Sequence, residues 1–381
     1  MNTVILQQPK RLIFGDGSRH QAPAEFLLHG WKRIFVVTAS RVVETQSDLF
    51  DQWRAEGLTL EICSSVDREP EIGLFEEVMA SARAFRPDAI LGFGGGSALD
   101  VSKLIASLYD DRQQVRDVFG IGLLENRSLP LICIATTAGT GADVSPNAIL
   151  LDEEEKLKKG VVSPYLVPDL ALCDPELTHS VPPAVTAATG IDALVHCMEA
   201  YANKHAHPVV DVYALEGIRR ISRSIETAVK DGTNREARAD VMLGALYGGL
   251  CLGPVNTAAV HALSYPLGGE YRVTHGVGNS LLMPHVFRFN LPAMPERYAD
   301  IAIALGCAAE STPLATAEAG LSRLVEMSLA CGIPQHLSEV NVPEADLPRL
   351  AASAMKVTRL LVNNPRELTS ADAEAIYRAA Y

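Results

Sequence analysis

The sequence has few cysteines and no dense basic segment, and both absences narrow the possible functions. Seven cysteines are scattered over 381 residues without a CxxC pair, so neither a disulfide framework nor a cysteine zinc site is expected. This cysteine usage is typical of a reducing compartment, and we expect a cytoplasmic protein. A net charge of −13 and the lack of any Lys/Arg run argue against a nucleic-acid partner.

Signals for the membrane are also lacking. The N-terminus has no basic flank followed by an apolar run, so no signal peptide is expected. Residues 241–269 contain no Asp, Glu, Lys or Arg, but they include six glycines and two prolines. That stretch is too broken and too polar to cross a bilayer. We expect it to form a buried helix of a large core, which places His261 in apolar surroundings.

The two halves of the chain differ in their hydrophobic pattern, and the length suits two domains. Apolar strand segments at 33–40, 58–65, 88–96 and 129–137 alternate with helical segments at 72–86 and 98–109. Such alternation predicts a parallel sheet with helices on both faces. From about Pro182 the segments are helical, at 184–202, 208–230, 235–253 and a C-terminal helix capped by Thr or Ser. The sequence therefore predicts an α/β domain over 1–180 and an all-helical domain over 181–381.

Two small-residue loops follow predicted strands. The first, GFGGGSALD (92–100), leads into a helix, where its glycines let the backbone approach a ligand and Ser97 is placed to cap the helix. The second, TTAGTGADVS (136–145), follows the next strand. A tight turn would explain either loop alone, but together at neighbouring strand ends they favour a dinucleotide or phosphate site.

The strand at 33–40 ends in Ala39, Ser40 and Arg41, with no acid at its tip. In nucleotide-binding sheets an acid at such a tip favours NAD over NADP. Its absence indicates tolerance of a 2′-phosphate, with Arg41 as the partner. The alternative is that Arg41 is simply the solvated start of the next helix.

One carboxylate and three imidazoles form a candidate metal site. Asp192 and His196 are spaced i, i+4 in a helical segment, and His261 and His275 follow on a second segment. This donor set suits a divalent transition metal, although a buried His is more often a hydrogen-bonded core residue. A metal beside a nicotinamide would acidify an alcohol by binding its oxygen and so permit hydride transfer.

Taken together, these segments resemble the iron-containing (group III) alcohol dehydrogenase family over nearly the whole chain. The resemblance includes FGDGS (14–18), GFGGGSALDVSK (92–103), TTAGTGADVS (136–145), ATGIDALVHCMEAY (188–201) and HALSYPLGGEYRVTHGVGNSLLMPH (261–285).

The resemblance implies a Rossmann-like N-terminal domain, an all-α C-terminal domain and a dehydroquinate synthase-like architecture, with the site in the cleft between the domains. It implies Fe²⁺, or sometimes Zn²⁺, held by Asp192, His196, His261 and His275. It also implies a homodimer formed through the N-terminal strands, or a higher homo-oligomer. NAD or NADP would bind at the positions that match the family's cofactor residues: Ala39, Gly95, Gly96, Ser97, Asp100, Thr136, Thr137, Thr140, Ser145 and Lys158.

Three positions depart from the family pattern. Ala39 stands where NAD-preferring members often have Asp, and Glu69 stands where many members have Asn. Tyr265 replaces a further His, four residues after His261, that is thought to help move protons in the family. Tyr265 either supplies its hydroxyl in place of that imidazole or shapes the pocket.

The expected function is a metal-dependent NAD(P) oxidoreductase that interconverts a small primary alcohol and its aldehyde, with the alcohol oxygen on Fe²⁺. Other chemistry on the same scaffold remains open: a polyol dehydrogenase, a hydroxyacid–oxoacid transhydrogenase or a dehydroquinate synthase. A transhydrogenase would hold its dinucleotide tightly, and a synthase would need a basic cluster that the C-terminal half lacks. A non-enzymatic nucleotide-binding protein is a further alternative, against which the four-residue donor set argues.

Overall fold

Nine strands occur among the residues that the computed structural model describes, 3–155 and 157–381, and all of them precede residue 180. The chain divides into two compact units. One, the sheet unit, comprises Gln7–Thr137 and Ala142–Thr178. The other, the helical unit, contains His179–Tyr381 together with residues 3–6 and Ala138–Gly141.

The sheet unit is organised around a six-stranded parallel sheet. The strands of both sheets in this unit are β1 (Arg11–Phe14), β2 (Arg33–Thr38), β3 (Thr59–Cys63), β4 (Ala89–Gly94), β5 (Gly120–Ile121), β6 (Leu131–Ala135), β7 (Asn147–Asp152), β8 (Leu157–Val162) and β9 (Leu170–Cys173). The large sheet has the order β1-β9-β6-β4-β2-β3, and all of its neighbours run parallel, which confirms the parallel sheet. A second sheet, β5-β8-β7, contains an antiparallel β7–β8 hairpin.

Helices cover both faces of the large sheet. The helices of this unit are α1 (Ala22–Leu28), α2 (Ser40–Ala55), α3 (Ile72–Phe85) and α4 (Gly96–Leu108). On one face, Trp53 of α2 stacks on Phe93 of β4 with ring centroids 6.0 Å apart. On the other face, Phe35 of β2 lies 6.3 Å from Phe85 of α3. Phe35, Trp53 and Phe93 are fully buried, and fully burying a large apolar side chain stabilises a fold by roughly 1.5–3 kcal/mol.

In the sheet unit, one predicted strand is less buried than expected, and several short elements were not predicted. The segment 58–65 was expected to be a buried strand, but β3 is an edge strand with partly exposed residues. The short strands β1 and β9 have only four residues each, too few to give a clear hydrophobic pattern. The β7–β8 hairpin was missed because acidic and lysine side chains surround its turn, which hides the alternation.

The helical unit carries the remaining α-helices: α5 (Pro183–Tyr201), α6 (Pro208–Lys230), α7 (Arg235–Leu252), α8 (Ala259–Tyr271), α9 (His275–Asn290), α10 (Pro295–Ala304), α11 (Pro313–Ala330), α12 (Leu347–Ala354), α13 (Thr358–Leu361) and α14 (Ser370–Ala379). The predicted helices match α5, α6 and α7 to within one residue. Thr369 caps α14, and the Asp372 side chain accepts a hydrogen bond from the Thr369 backbone in return.

The uncharged stretch 241–269, expected to form a buried helix, spans parts of two helices. It contains the end of α7 and most of α8, separated by a turn at 253–258. Asn256 has a φ of 72° in this turn, and the Asn203 side chain donates to the carbonyl groups of Val255 and Asn256. The Gly253–Pro254 pair prevents the helix from continuing. None of the helices in the described chain is long and apolar enough to span a bilayer.

Candidate metal centre and cofactor loops

Four predicted side chains converge in the helical unit. Asp192 and His196 lie one turn apart on α5, His261 lies on α8, and His275 is the first residue of α9. Their potential ligand atoms all lie within 4.8 Å of one another. From the Asp192 Oδ1, the distances to the Nε2 atoms of His196, His261 and His275 are 3.9, 3.6 and 3.8 Å. Tertiary packing thus joins two segments that are about 70 residues apart in sequence.

A glycine allows this convergence. A Cβ atom at Gly276 would lie 2.3 Å from the carbonyl oxygen of Ala188. The start of α9 therefore packs directly on the backbone of α5, and only a residue without a side chain fits there. Because Gly276 follows His275, the close approach also brings that imidazole to Asp192.

The protonation states suit a cation. Burial works against the charged form of Asp192, but the surrounding imidazoles and the Asn279 amide more than offset it and lower the pKa of Asp192 to about 2. Burial lowers the pKa of His196 to about 4. At neutral pH the aspartate is ionised and that imidazole is neutral, as metal ligation requires. One carboxylate and three imidazole donors fit a divalent transition metal such as iron or zinc.

Asn279, one turn after His275 on α9, was not predicted. Its Nδ2 donates to Asp192 Oδ1 at 2.6 Å and lies 3.1 Å from His261 Nε2 and 3.2 Å from His275 Nε2. Three electron-pair donors thus point at one shared position, which here holds a positively polarised N–H group. This convergence is what a bound cation requires, so the geometry and the donor chemistry agree.

Glu199 was also missed, although it belongs to the same helix face as the first two candidates. Its Oε2 lies 2.6 Å from His261 Nδ1, and its Oε1 accepts a hydrogen bond from Val260 N at 2.6 Å. A His261 Nδ1–H that donates to this carboxylate leaves Nε2 free as an electron-pair donor. The spacing of Asp192, His196 and Glu199, at i, i+4 and i+7 of a buried face, was the available signal.

Tyr265 lies one turn after His261 on α8. Its ring centroid is 6.0 Å from that of His275. Arg359 of α13 donates from Nη2 to the Tyr265 hydroxyl oxygen at 2.9 Å. The hydroxyl oxygen therefore accepts a hydrogen bond from a cationic neighbour. The ring lies beside His275, one of the four candidate metal ligands.

In the sheet unit, the first glycine loop leads directly into α4. Gly95 is the N-cap residue, α4 starts at Gly96, and no side chain caps the helix. The expectation that Ser97 caps α4 is therefore wrong: the helix begins earlier, and Ser97 lies inside its first turn. Without a side-chain cap, the N–H groups of that turn remain available to an anion. This arrangement fits a dinucleotide phosphate.

The second loop adjoins the first, as expected from neighbouring strands. β4 pairs with β6, Thr136 N donates to Gly94 O at 2.9 Å, and a Cβ at Gly95 would lie 3.5 Å from Thr137 Oγ1. Thr140 belongs to the segment of this loop that forms part of the helical unit.

Further along α4, Asp100 and Lys103 attach the helix to the chain around β7. Asp100 accepts a hydrogen bond from Ile149 N at 3.0 Å, and burial raises the pKa of Asp100 to about 6. The buried Lys103 donates to the Ser145 carbonyl oxygen at 2.9 Å. Asp100 and Ser145 therefore have structural contacts in addition to their match with family cofactor positions.

Glu69, one of the three departures from the family pattern, has a partner. Lys158, on β8, forms an ion pair with Glu69, with 2.5 Å between Nζ and Oε1, so the unexpected acid neutralises a candidate cofactor residue.

Ala39 is the N-cap of α2. Arg41 is 74% exposed and paired with Glu44, which agrees with its interpretation as the solvated start of a helix.

Two family models match the chain, one over its strand-containing part and one over its helical part. Residues 9–175 match the family model described as iron-containing alcohol dehydrogenase, and residues 186–381 match the model for the C-terminal part of the same family. The chain belongs to the iron-containing alcohol dehydrogenase family.

Individual members resemble it over nearly their full length. A long-chain-alcohol dehydrogenase 1 from Geobacillus thermodenitrificans is 40% identical over 96% of this chain and 94% of its own length. The crystal structure of a 1,3-propanediol oxidoreductase superposes with a TM-score of 0.96 at 33% identity, covering both chains completely. A sulfoacetaldehyde reductase from Bifidobacterium kashiwanohense, solved in complex with NAD⁺, gives 0.89 at 25% identity, over 100% of this chain and 99% of its own.

Proposed function

We propose that this family member is a metal-dependent, NAD(P)-linked oxidoreductase that interconverts a primary alcohol and its aldehyde. The observation that carries the proposal is the convergence of one carboxylate and three imidazoles, three of the four residues being buried and His275 partly exposed. The names of similar proteins agree on alcohol or aldehyde substrates.

The metal would be held by Asp192, His196, His261 and His275, with Fe²⁺ proposed ahead of Zn²⁺ because of the family. Such an ion supplies Lewis acidity that lowers the pKa of an alcohol hydroxyl. Glu199 would fix the His261 ring and its tautomer. Tyr265 would shape the pocket wall, since Arg359 already engages its hydroxyl oxygen.

The dinucleotide would bind to residues 1–180, which form one functional domain, and the metal to residues 181–381. The phosphates of the dinucleotide would meet the start of α4 at Gly95, Gly96 and Ser97. The remaining positions taken over from the family are Ala39, Asp100, Thr136, Thr137, Thr140, Ser145 and Lys158. NAD is supported by the NAD⁺ complex of a structural relative.

Two further proposals concern assembly and compartment. A homodimer formed through the N-terminal strands is supported by the position of β1 at an edge of the large sheet, because an edge strand offers unpaired backbone groups. A cytoplasmic location is supported by seven cysteines that are all free thiols.

The decisive experiment measures turnover and metal content on the same purified sample. A panel of short and long primary alcohols, diols and aldehydes is assayed with NAD(H) and NADP(H), before and after chelation and after reloading with Fe²⁺ or Zn²⁺. We expect turnover to follow metal content. Full activity in metal-free protein would overturn the proposal, and turnover without added dinucleotide would instead indicate a transhydrogenase.

A further inference from the structure

The carboxyl end of β2 lies beside the candidate phosphate site within the sheet unit. β2 and β4 are neighbours, with Thr38 opposite Phe93, so the residue after β2 adjoins the glycines that precede α4. In nucleotide-binding sheets the adenine ribose meets this strand end, and an acid there selects NAD. Ala39, at the tip of β2, carries no such acid.

A carboxylate nevertheless reaches this strand end from a different segment. Beyond β3 the chain continues alongside β2, where Val66 N donates to Thr38 O at 3.2 Å. The next residue, Asp67, then turns its side chain onto the start of α2. Its Oδ1 accepts hydrogen bonds from Ser40 N at 2.8 Å and from Ser40 Oγ at 2.7 Å.

These contacts place the charge near the position that an acid at residue 39 would cover. The Ser40 nitrogen is bonded to the carbonyl carbon of Ala39, so Asp67 Oδ1 lies within roughly 5 Å of the Ala39 Cα. Asp67 is exposed, and within the described residues its second oxygen, Oδ2, makes no hydrogen bond. One carboxylate oxygen thus fixes the side chain, and the other remains available to a ribose hydroxyl.

The surrounding cations do not favour a 2′-phosphate. Arg41 and Arg68 are the basic residues of segments 38–45 and 64–71. Arg41 is paired with Glu44 at 3.1 Å, and Arg68 with Glu71 at 3.2 Å. A phosphate at this position would therefore meet a carboxylate and two cations that already have partners.

We propose that Asp67 is a specificity-determining residue that selects NAD over NADP, in place of the acid that β2 lacks. Its carboxylate accepts a hydrogen bond from the adenine ribose 2′-hydroxyl and repels a 2′-phosphate. This inference rests on the proposed dinucleotide-linked function, and it replaces the expectation of NADP tolerance drawn from Ala39 alone.

The test is a binding measurement and does not depend on turnover. Dissociation constants of NADH and NADPH are determined by nicotinamide fluorescence for the wild-type protein and for Asp67→Asn. The amide oxygen of Asn preserves the acceptor for Ser40 while removing the charge. We expect the wild-type protein to bind NADH at least about tenfold more tightly than NADPH, and the variant to lose most of this ratio, mainly through tighter NADPH binding.

Two further variants separate specificity from local structure. Asp48→Asn removes an equal charge from α2, away from the end of β2. It is expected to leave the ratio of the NADH and NADPH dissociation constants unchanged. In the double variant Asp67→Asn/Ala39→Asp, the acid returns on β2 itself and the NADH preference should recover.

An unchanged ratio in Asp67→Asn, or equal weakening of both dinucleotides, would overturn the inference and leave the proposed function intact. Wild-type protein that binds NADPH as tightly as NADH would overturn it as well. A protein that binds neither dinucleotide would contradict the proposed function too.

Discussion

The sheet unit and the helical unit present their candidate sites in opposite ways. In the sheet unit, the loop after β4 offers backbone N–H groups, glycines and small side chains at the start of α4. In the helical unit, α5, α8 and α9 bring particular Asp and His side chains to one largely buried position. A backbone site depends on what is absent, namely side chains that would fill the space, whereas a metal site depends on particular donor atoms. The two units should therefore respond differently to substitution.

The largest effect is expected from His261→Ala. It removes a donor atom that nothing nearby replaces, so bound metal should be lost and turnover should fall on the order of a thousandfold or more. Metal analysis and steady-state kinetics measure both, and circular dichroism checks that the fold persists. His205→Ala, at an exposed position of the same unit, is the control. If the His261 variant keeps its metal, the proposed ligand set is incorrect.

Glu199→Gln tests whether the helical site depends on support behind its ligands. The amide cannot accept the His261 Nδ1–H bond with the strength of a carboxylate, so metal affinity should fall about 10–100-fold. The measurement is a competitive chelator titration at fixed pH. Asp240→Asn is the matched control, because Asp240 is a buried acid bound by Arg220, Arg223 and Ser224. Asp240→Asn should reduce stability without changing metal affinity. If both variants lower metal affinity equally, Glu199 has only a structural role.

Gly92→Ala tests the sheet unit, where a side chain is harmful simply by being present. The new Cβ would lie 2.3 Å from Ser102 Oγ and 2.9 Å from Leu99 Cδ2, so α4 must move off β4 at a cost of about 1–3 kcal/mol. Urea unfolding followed by tryptophan fluorescence isolates this unit, since the chain's two tryptophans, Trp31 and Trp53, both belong to it.

The control for this glycine is Gly73→Ala in α3. Its Cβ would make only an ordinary contact, 3.5 Å from Glu153, so stability should stay the same or rise by up to about 1 kcal/mol. Metal content should be unaffected by either glycine variant. Loss of metal from Gly92→Ala would show that the two units do not respond separately.

The smallest effect is expected from Tyr265→Phe. If the ring only shapes the pocket, turnover should stay within about threefold and the pH profile should keep its form, because the ring remains and only a hydroxyl is lost. Tyr271→Phe, on the same helix, controls for removing a hydroxyl that contacts an acid, Asp346. A tenfold loss with a displaced pH profile would instead indicate that the Tyr265 hydroxyl moves a proton.

Local patterns predicted much of the fold and the donor set. Long apolar strands and helices such as β2, β4 and α5–α7 stand out because their periodicity extends over many residues. The end of α7 was predicted because Gly253 and Pro254 interrupt the helical pattern, whereas the β7–β8 hairpin was missed because charge obscures its alternation. Glu199 was missed because its role depends on His261, 62 residues further along the chain.

The sequence by itself determined which chemical groups were available: one aspartate and three histidines at helical spacing, glycines after strands, and no acid at residue 39. Only the tertiary structure decided which groups meet. Gly276 brings α9 onto α5 so that His275 reaches Asp192, and the chain beyond β3 delivers Asp67 to the end of β2. Residue types and spacing along one element are local properties, whereas a site assembled from several elements depends on packing between segments far apart in the chain.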